Sequence, residues 1–215
     1  MYVMFEGGAF ILKIGIMGGT FDPIHIGHLI LGESAWQQLG LDYVIYLPAG
    51  NPPHKQHREG RATDRQRMDM VQLATAENPH FIVSDFEMNE DGFTYTYRTL
   101  EHMRKEYPGA EIYFIIGADS LFDFDTWREP QKICDNCTLV VATRYHTSAE
   151  ELDAAIRHCR KTYHASIVKL DTENIDCSSR MLREWISRGH SIRYYMPDSV
   201  LEYIRKYGLY RTLDC

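Results

Sequence analysis

A formal charge of −7 on 215 residues rules out the global positive field that gathers nucleic acid along a groove, so a polyanionic ligand has to be held locally. Hydrophobic residues make up 44% of the chain and aromatics 12%, enough for a substantial core and fitting one domain over residues 1–215 better than two. Positions 1–12 carry Glu6, Gly7 and Gly8 and no basic leader, so they read as a short N-terminal extension rather than a signal peptide or spanning helix, and the expected compartment is the cytoplasm without membrane association.

In chain order, residues 13–17 are the first apolar strand pattern, followed by a helix over 29–39 and a strand over 43–47. A helix over 67–76 and a strand over 81–83 come next, then a helix over 95–107 and a strand over 111–116. A strand over 138–142, a helix over 149–159 and a strand over 166–170 complete the alternation. Within the last part, 171–215, helices are expected over 179–188 and 198–206, with Pro197 at a helix start. The alternation predicts an α/β, Rossmann-like fold: a mainly parallel sheet with helices on both faces and a small C-terminal helical cap. Ligands of such sheets sit outside the carboxyl ends of the strands.

The local exception to the acidic balance runs from His54 to Arg67, where Lys55, Arg58, Arg61, Arg65 and Arg67 outnumber Glu59 and Asp64. A solvated charged loop is the plain account; its place after a strand and a Pro-Pro pair favours a phosphate-facing loop. Five cysteines, at 134, 137, 159, 177 and 215, are too sparse for a disulfide scaffold and read as reduced thiols. Cys134 and Cys137 form a lone Cys-x-x-Cys with neither a second pair nor a redox-type helix start. No residue set resembles an all-protein metal cage, so no protein metal site is expected.

The most informative stretch follows the first strand: Gly18-Gly19-Thr20-Phe21-Asp22-Pro23-Ile24-His25-Ile26-Gly27-His28. Gly18 and Gly19 permit close backbone approach to a ligand, and the amides of the following helix start favour an anion. The dinucleotide fingerprint and the P-loop are both absent. Instead His25 and His28 stand at i and i+3, which on a first helical turn puts both imidazoles on one face, able to donate to the same triphosphate, with Gly27 leaving room for a nucleotide.

This string resembles the signature of the adenylyltransferase and cytidylyltransferase superfamily, and in full that of the nicotinate mononucleotide adenylyltransferases. Similar motifs follow in the family's order: Pro52-Pro53-His54-Lys55, Arg67-x-x-Met70, Ser84-Asp85-Phe86-Glu87, Gly92 with Thr94-Tyr95-Thr96 and Thr99-Leu100, Ile116-Gly117-Ala118-Asp119-Ser120-Leu121, Trp127, and an ending with Pro197, Val200, Tyr203-Ile204 and Leu209-Tyr210. The family's late Ile-Ser-x-Thr-x-x-Arg element falls on residues 177–183 with Cys177 and Arg180 in place of Ile and Thr, while Ser178 and Arg183 match. Arg180 has two readings, an added phosphate donor or a solvent-facing side chain.

The resemblance implies transfer of AMP from ATP to nicotinate mononucleotide, releasing pyrophosphate, with Mg2+ arriving on ATP. It implies that His25, His28, Lys55 and Arg183 hold the charged groups and that Gly18, Gly19, Thr20, Phe21, Gly117, Asp119 and Ser178 bind ATP, Asp119 through a ribose hydroxyl. The mononucleotide falls to His54, Thr94, Tyr95, Thr96, Tyr97 and Trp127. Trp127 offers a stacking face, with a core aromatic as the alternative, and the helix start at 94–97 offers amides to a nicotinate carboxylate. A carboxamide presents an NH₂ to those donors and would be met badly. Nicotinamide mononucleotide and a phosphopantetheine-type acceptor remain alternative substrates, and a homo-oligomer is left open. Class I aminoacyl-tRNA synthetases share His-Ile-Gly-His but need a Lys-Met-Ser-Lys-Ser type loop and a tRNA surface, which this chain lacks. A nucleotide sensor would keep the turn and lose the charged side chains that are present here.

Overall fold

Six apolar runs, each too short for a stable helix, build a parallel sheet: β1 (Lys13–Gly19), β2 (Tyr43–Pro48), β3 (Phe81–Val83), β4 (Glu111–Gly117), β5 (Thr138–Ala142) and β6 (Ile167–Leu170). The structure is a computed structural model and describes residues 11–51, 60–89, 92–142, 148–172 and 175–211. The strand order is β3-β2-β1-β4-β5-β6, with every neighbouring pair parallel. The order reverses between β1 and β4, where an open α/β sheet forms its crevice.

The register shows how that crevice opens. β1 and β4 pair from Lys13 opposite Glu111 only as far as Ile16 opposite Phe114. Beyond that point β1 stays with β2, through Gly19 opposite Pro48, while β4 stays with β5, through Gly117 opposite Ala142. The two central strands therefore part over their last three residues each, leaving Gly19 and Gly117 on either side of the gap.

Helices cover both faces, as the alternation predicts. Along β1 and β2, Ile14, Ile16, Ile45 and Leu47 point to one face and Met17, Val44 and Tyr46 to the other, the period-2 alternation of a strand buried on both sides. The first face packs on α3 (Thr96–Glu106), α4 (Ala118–Phe122), α5 (Pro130–Asn136) and α6 (Ala149–Tyr163), through residues such as Leu100, Leu121, Ile133 and Ile156. The second packs on α1 (Ile26–Leu39), α2 (Asp64–Thr75), α7 (Ser179–Ser187) and α8 (Asp198–Lys206), through Ala35, Met70, Leu182 and Ile204. The C-terminal helices thus share one hydrophobic layer with α1 and α2.

Local chemistry sets the boundaries. Thr63 and Gln66 form a reciprocal capping box at the start of α2, Ser148 accepts from the Glu151 amide at the start of α6, and Gly40 ends α1 in the left-handed region at φ 60°. The short helices α4 and α5, of five and seven residues, were not foreseen because they complete barely two turns of any periodic pattern. Helix α1 starts at Ile26, three residues earlier than the apolar periodicity over 29–39 suggests. Among the described residues, no helix is long and apolar enough to cross a membrane.

Helix α1 lies unusually close to β2. A Cβ on Gly32 would stand 2.2 Å from the Tyr46 hydroxyl, and Tyr46 is fully buried. That hydroxyl donates to the His28 carbonyl at 3.2 Å, so the close approach also fixes the first turn of α1. Gly32→Ala is expected to cost about 1–3 kcal/mol by overpacking, measured by chemical denaturation. Combining it with Tyr46→Phe should recover part of that loss, because the nearest atom is removed.

Candidate functional site

The turn after β1 is built around the Phe21 ring. Phe21 adopts a left-handed φ of 48° and its ring is buried; a Cβ on Gly19 would lie 3.0 Å from that ring, so glycine there admits it. The ring then meets His28 edge-on at 5.0 Å. Phe21, expected among the ATP-binding residues, turns its side chain inward against His28.

His25 and His28 come together by a different route from the one expected. His25 is the extended cap residue of α1, with φ −147° and ψ 170°, and does not share a helical turn with His28. The rings nevertheless lie 3.8 Å apart and 31° from parallel. The His25 amide donates to His28 Nδ1 at 3.2 Å, which places the proton of neutral His28 on Nε2 and makes that nitrogen a donor. Gly27 has a structural reason as well: a Cβ there would press on the His25 ring at 3.1 Å, so the glycine accommodates the histidine. His25 is buried and His28 half-buried, so His28 is the outward member of the pair.

Behind this turn stands Asp22, 1% exposed. Its Oδ1 accepts from the Tyr210 hydroxyl at 2.7 Å and from the Ala62 amide at 3.3 Å. Its Oδ2 has no hydrogen bond but lies 3.8 Å from both Arg61 and Arg183, and Arg183 also donates to the Asp22 carbonyl. The C-terminal part grips the same turn twice more, through Ser179 Oγ to the Pro23 carbonyl and the Ile26 amide to the Tyr195 carbonyl, each at 2.8 Å.

The basic run divides by function in the fold. Lys55 and Arg58, with His54, lie outside the described residues. Arg61 faces Asp22, whereas Arg65 pairs with Asp69 on the surface. Arg67 is 4% exposed and donates to the carbonyls of Thr20 and Ala49 at 2.7 Å each, and to Asp64 at 2.8 Å. It ties the turn after β1 to the end of β2, so the reading of the whole run as a phosphate-facing loop does not hold for Arg65 and Arg67.

On the other side of the gap, Gly117 caps α4, and Asp119 is exposed in its first turn. Tyr95 caps α3, so Thr96 and Tyr97 fall in the first turn and their amides face its open end. Cations surround this start: Arg98 and Arg128 lie 5.9 and 5.8 Å from the Tyr95 ring, and Lys132 lies 5.2 Å from the Tyr97 ring. Thr94 is buried, and its hydroxyl has no hydrogen-bond partner among the described residues. Trp127 is half-buried, one part packed on Phe114 and Phe124, so it serves the core and still presents surface.

Ser178 caps α7 by accepting from the Met181 amide at 3.2 Å, leaving its own O–H as a donor, and Arg180 is exposed. Cys134 and Cys177 are pushed by burial up to about 12 and about 11 respectively, so both are protonated thiols at neutral pH. The described cysteines are free. Asp22 and Tyr210 have no assigned role in the sequence, and Arg61 is read there only as part of the basic run. Asp22 stands inside the recognised string and Tyr210 among the matched ending, but nothing in linear order shows that they touch.

The chain is similar to known proteins over most of its length. Residues 16–185 match the family described as cytidylyltransferase-like. A Lachnoclostridium phytofermentans protein named "Probable nicotinate-nucleotide adenylyltransferase" is 42% identical over 92% of this chain and 98% of its own length. A protein of the same name from Thermoanaerobacter sp. is 42% identical over 93% and 95%. The structure of Plasmodium falciparum nicotinic acid mononucleotide adenylyltransferase complexed with NaAD, at 20% identity, has a TM-score of 0.75 over 93% of this chain and 97% of that one, a likeness of fold.

The orphaned hydroxyl of Thr94 generates a prediction. Thr94→Val removes an unsatisfied buried group and is expected to raise the unfolding free energy by about 1 kcal/mol, read from denaturant titrations. A loss of stability instead would mean that the hydroxyl is bonded in the folded protein.

Proposed function

The chain belongs to the cytidylyltransferase-like family and, within it, to the nicotinate-nucleotide adenylyltransferases, and we propose that it transfers AMP from ATP to the 5′-phosphate of nicotinate mononucleotide, giving nicotinate adenine dinucleotide and pyrophosphate in cytoplasmic NAD biosynthesis. The observation that carries this reading is the His28 ring, held by the His25 amide so that Nε2 carries the proton, in the turn that follows β1, with Arg183 and Arg61 gathered at Asp22 of the same turn.

The nucleophile is already a phosphate oxygen, so the protein's work is positioning and charge stabilisation. ATP lies along the turn, its phosphates meeting the main chain of Gly18, Gly19, Thr20 and Phe21 and the Nε2–H of His28. His25, stacked against His28, holds that ring in place. Arg183 and the Ser178 hydroxyl meet the polyphosphate from α7, and Lys55 from the segment after β2. Asp119, in the turn after Gly117, accepts from the ribose. Attack in line on the α-phosphorus then expels pyrophosphate without a covalent enzyme intermediate.

A divalent ion, Mg2+ in this proposal, neutralises charge on the departing pyrophosphate when bound. Among the described residues no three His, Cys, Asp or Glu side chains are grouped to hold a metal. For the acceptor, the α3 start offers the amides of Thr96 and Tyr97, the orphaned Thr94 hydroxyl and the surrounding Arg98, Arg128 and Lys132. The amides and cations match a carboxylate and meet a carboxamide NH₂ poorly, whereas the Thr94 hydroxyl can serve either. Trp127 supplies the face for the pyridine ring, with His54 nearby in sequence to the Lys55 segment.

Pyrophosphate release with ATP, magnesium and either mononucleotide tests the reading. A higher kcat/KM for nicotinate than for nicotinamide mononucleotide is expected; equal use of the two would remove the carboxylate site, and release with neither would remove the activity. His28→Ala should lower kcat by about 10²–10³-fold, as loss of one preorganised donor does; a folded variant with near-normal kcat would dismiss His28 from that role.

A further inference from the structure

Two guanidinium groups that converge on a polyphosphate repel one another before it arrives. Arg61 and Arg183 are each about one-fifth exposed and both lie 3.8 Å from the same Asp22 oxygen. Burial is the main cause that lowers the Arg183 pKa; Asp22 opposes it, and Arg61 adds to it as a like charge. The carboxylate between them is buried and could turn, yet its other oxygen is fixed by the Ala62 amide and by the hydroxyl of Tyr210, 188 positions away in sequence. Burial and the neighbouring Asp22 hold the Tyr210 hydroxyl protonated, so it remains a donor.

Resting on the adenylyl-transfer reading, we propose that Asp22, aimed by Tyr210, is a positioning residue that gathers Arg61 and Arg183 beside the β1 turn ahead of the nucleotide. The carboxylate touches no substrate. It offsets the repulsion of the two arginines, so that the polyphosphate meets a preassembled pair instead of assembling it. The C-terminal end thereby becomes a part of the nucleotide site, through one hydroxyl.

The sign of one substitution separates this from simple electrostatics. Removing a buried negative charge near a polyanion site should tighten nucleotide binding, whereas loss of the gathering group should loosen it. Asp22→Asn keeps an oxygen for Tyr210 and Ala62 but drops the charge. Calorimetric titration of the full-length variant with α,β-methylene-ATP and magnesium is expected to show affinity about tenfold weaker, equivalent to 1.4 kcal/mol. Unchanged or tighter binding would overturn the proposal.

Tyr210→Phe, which leaves the charge and frees the carboxylate to turn, should weaken binding in the same direction by less, and it carries the test if Asp22→Asn fails to fold. Tyr203→Phe is the control, since it loses a Tyr–Asp hydrogen bond of the same 2.7 Å length, to Asp69, between α8 and α2. It should lower Tm comparably and leave analogue affinity alone; equal effects of the two tyrosine variants on affinity would reduce Tyr210 to a structural contact and overturn its part. In an Arg183→Ala background, Asp22→Asn should add less than it does alone, and additive losses would count against the mechanism. Wild-type protein that binds the analogue but releases no pyrophosphate would sink the activity and leave these binding results standing; wild-type protein that does not bind it would sink the nucleotide reading itself.

Discussion

The parting of β1 and β4 is the constraint on which the site depends. Two parallel strands that pair over Lys13–Ile16 and Glu111–Phe114 and then follow different partners leave a gap between them. No side chain has to be spent on making the crevice, because the reversal of strand order makes it. What the local sequence adds is the lining. The turn on one wall ends in a histidine whose ring is fixed by its neighbour's amide, and the turn on the other wall opens α4 at Gly117.

Holding that lining still requires contacts from distant parts of the chain. Tyr46 on β2 bonds the carbonyl of His28, Arg67 on α2 bonds the carbonyl of Thr20, and Ser179, Arg183, Tyr195 and Tyr210 reach the turn from the C-terminal part. Several of these bonds satisfy carbonyls that a tight turn would otherwise leave without partners at the edge of the core. The last two helices close the hydrophobic face over α1 and α2, and in the same act deliver the arginine and the tyrosine that surround Asp22. Packing and chemistry are therefore coupled at this end: a change that loosens α7 or α8 reaches the turn directly.

The acidity of the chain is reconciled with a polyanionic ligand on a small scale. The basic run in sequence looks like a single electrostatic patch, but the fold uses its members differently. Arg67 is buried on carbonyls, Arg65 faces solvent against Asp69, and Arg61 joins Arg183 at Asp22. A count of charges per segment could not separate these uses, since burial and partner decide what a guanidinium does. The α3 start draws its positive surroundings from Arg98, Arg128 and Lys132, on separate elements.

Much of the architecture was legible in the residues themselves. Among the described residues, all six strands and six of the eight α-helices fall where apolar periodicity places them, because each is long or apolar enough to carry its own period. The string from Gly18 to His28 marks the functional turn because glycine, histidine and a helix start are local properties. Tertiary structure decided the rest: that Gly27 makes room for His25, that Gly32 lets α1 rest on Tyr46, that Phe21 turns inward under His28, and that Asp22 meets Tyr210. Each of these depends on distances between residues that no spacing in the chain encodes. A sequence specifies which groups are available and how the chain bends locally; which groups face one another across 161 or 188 positions is settled only when two faces of a sheet bury their apolar surface together.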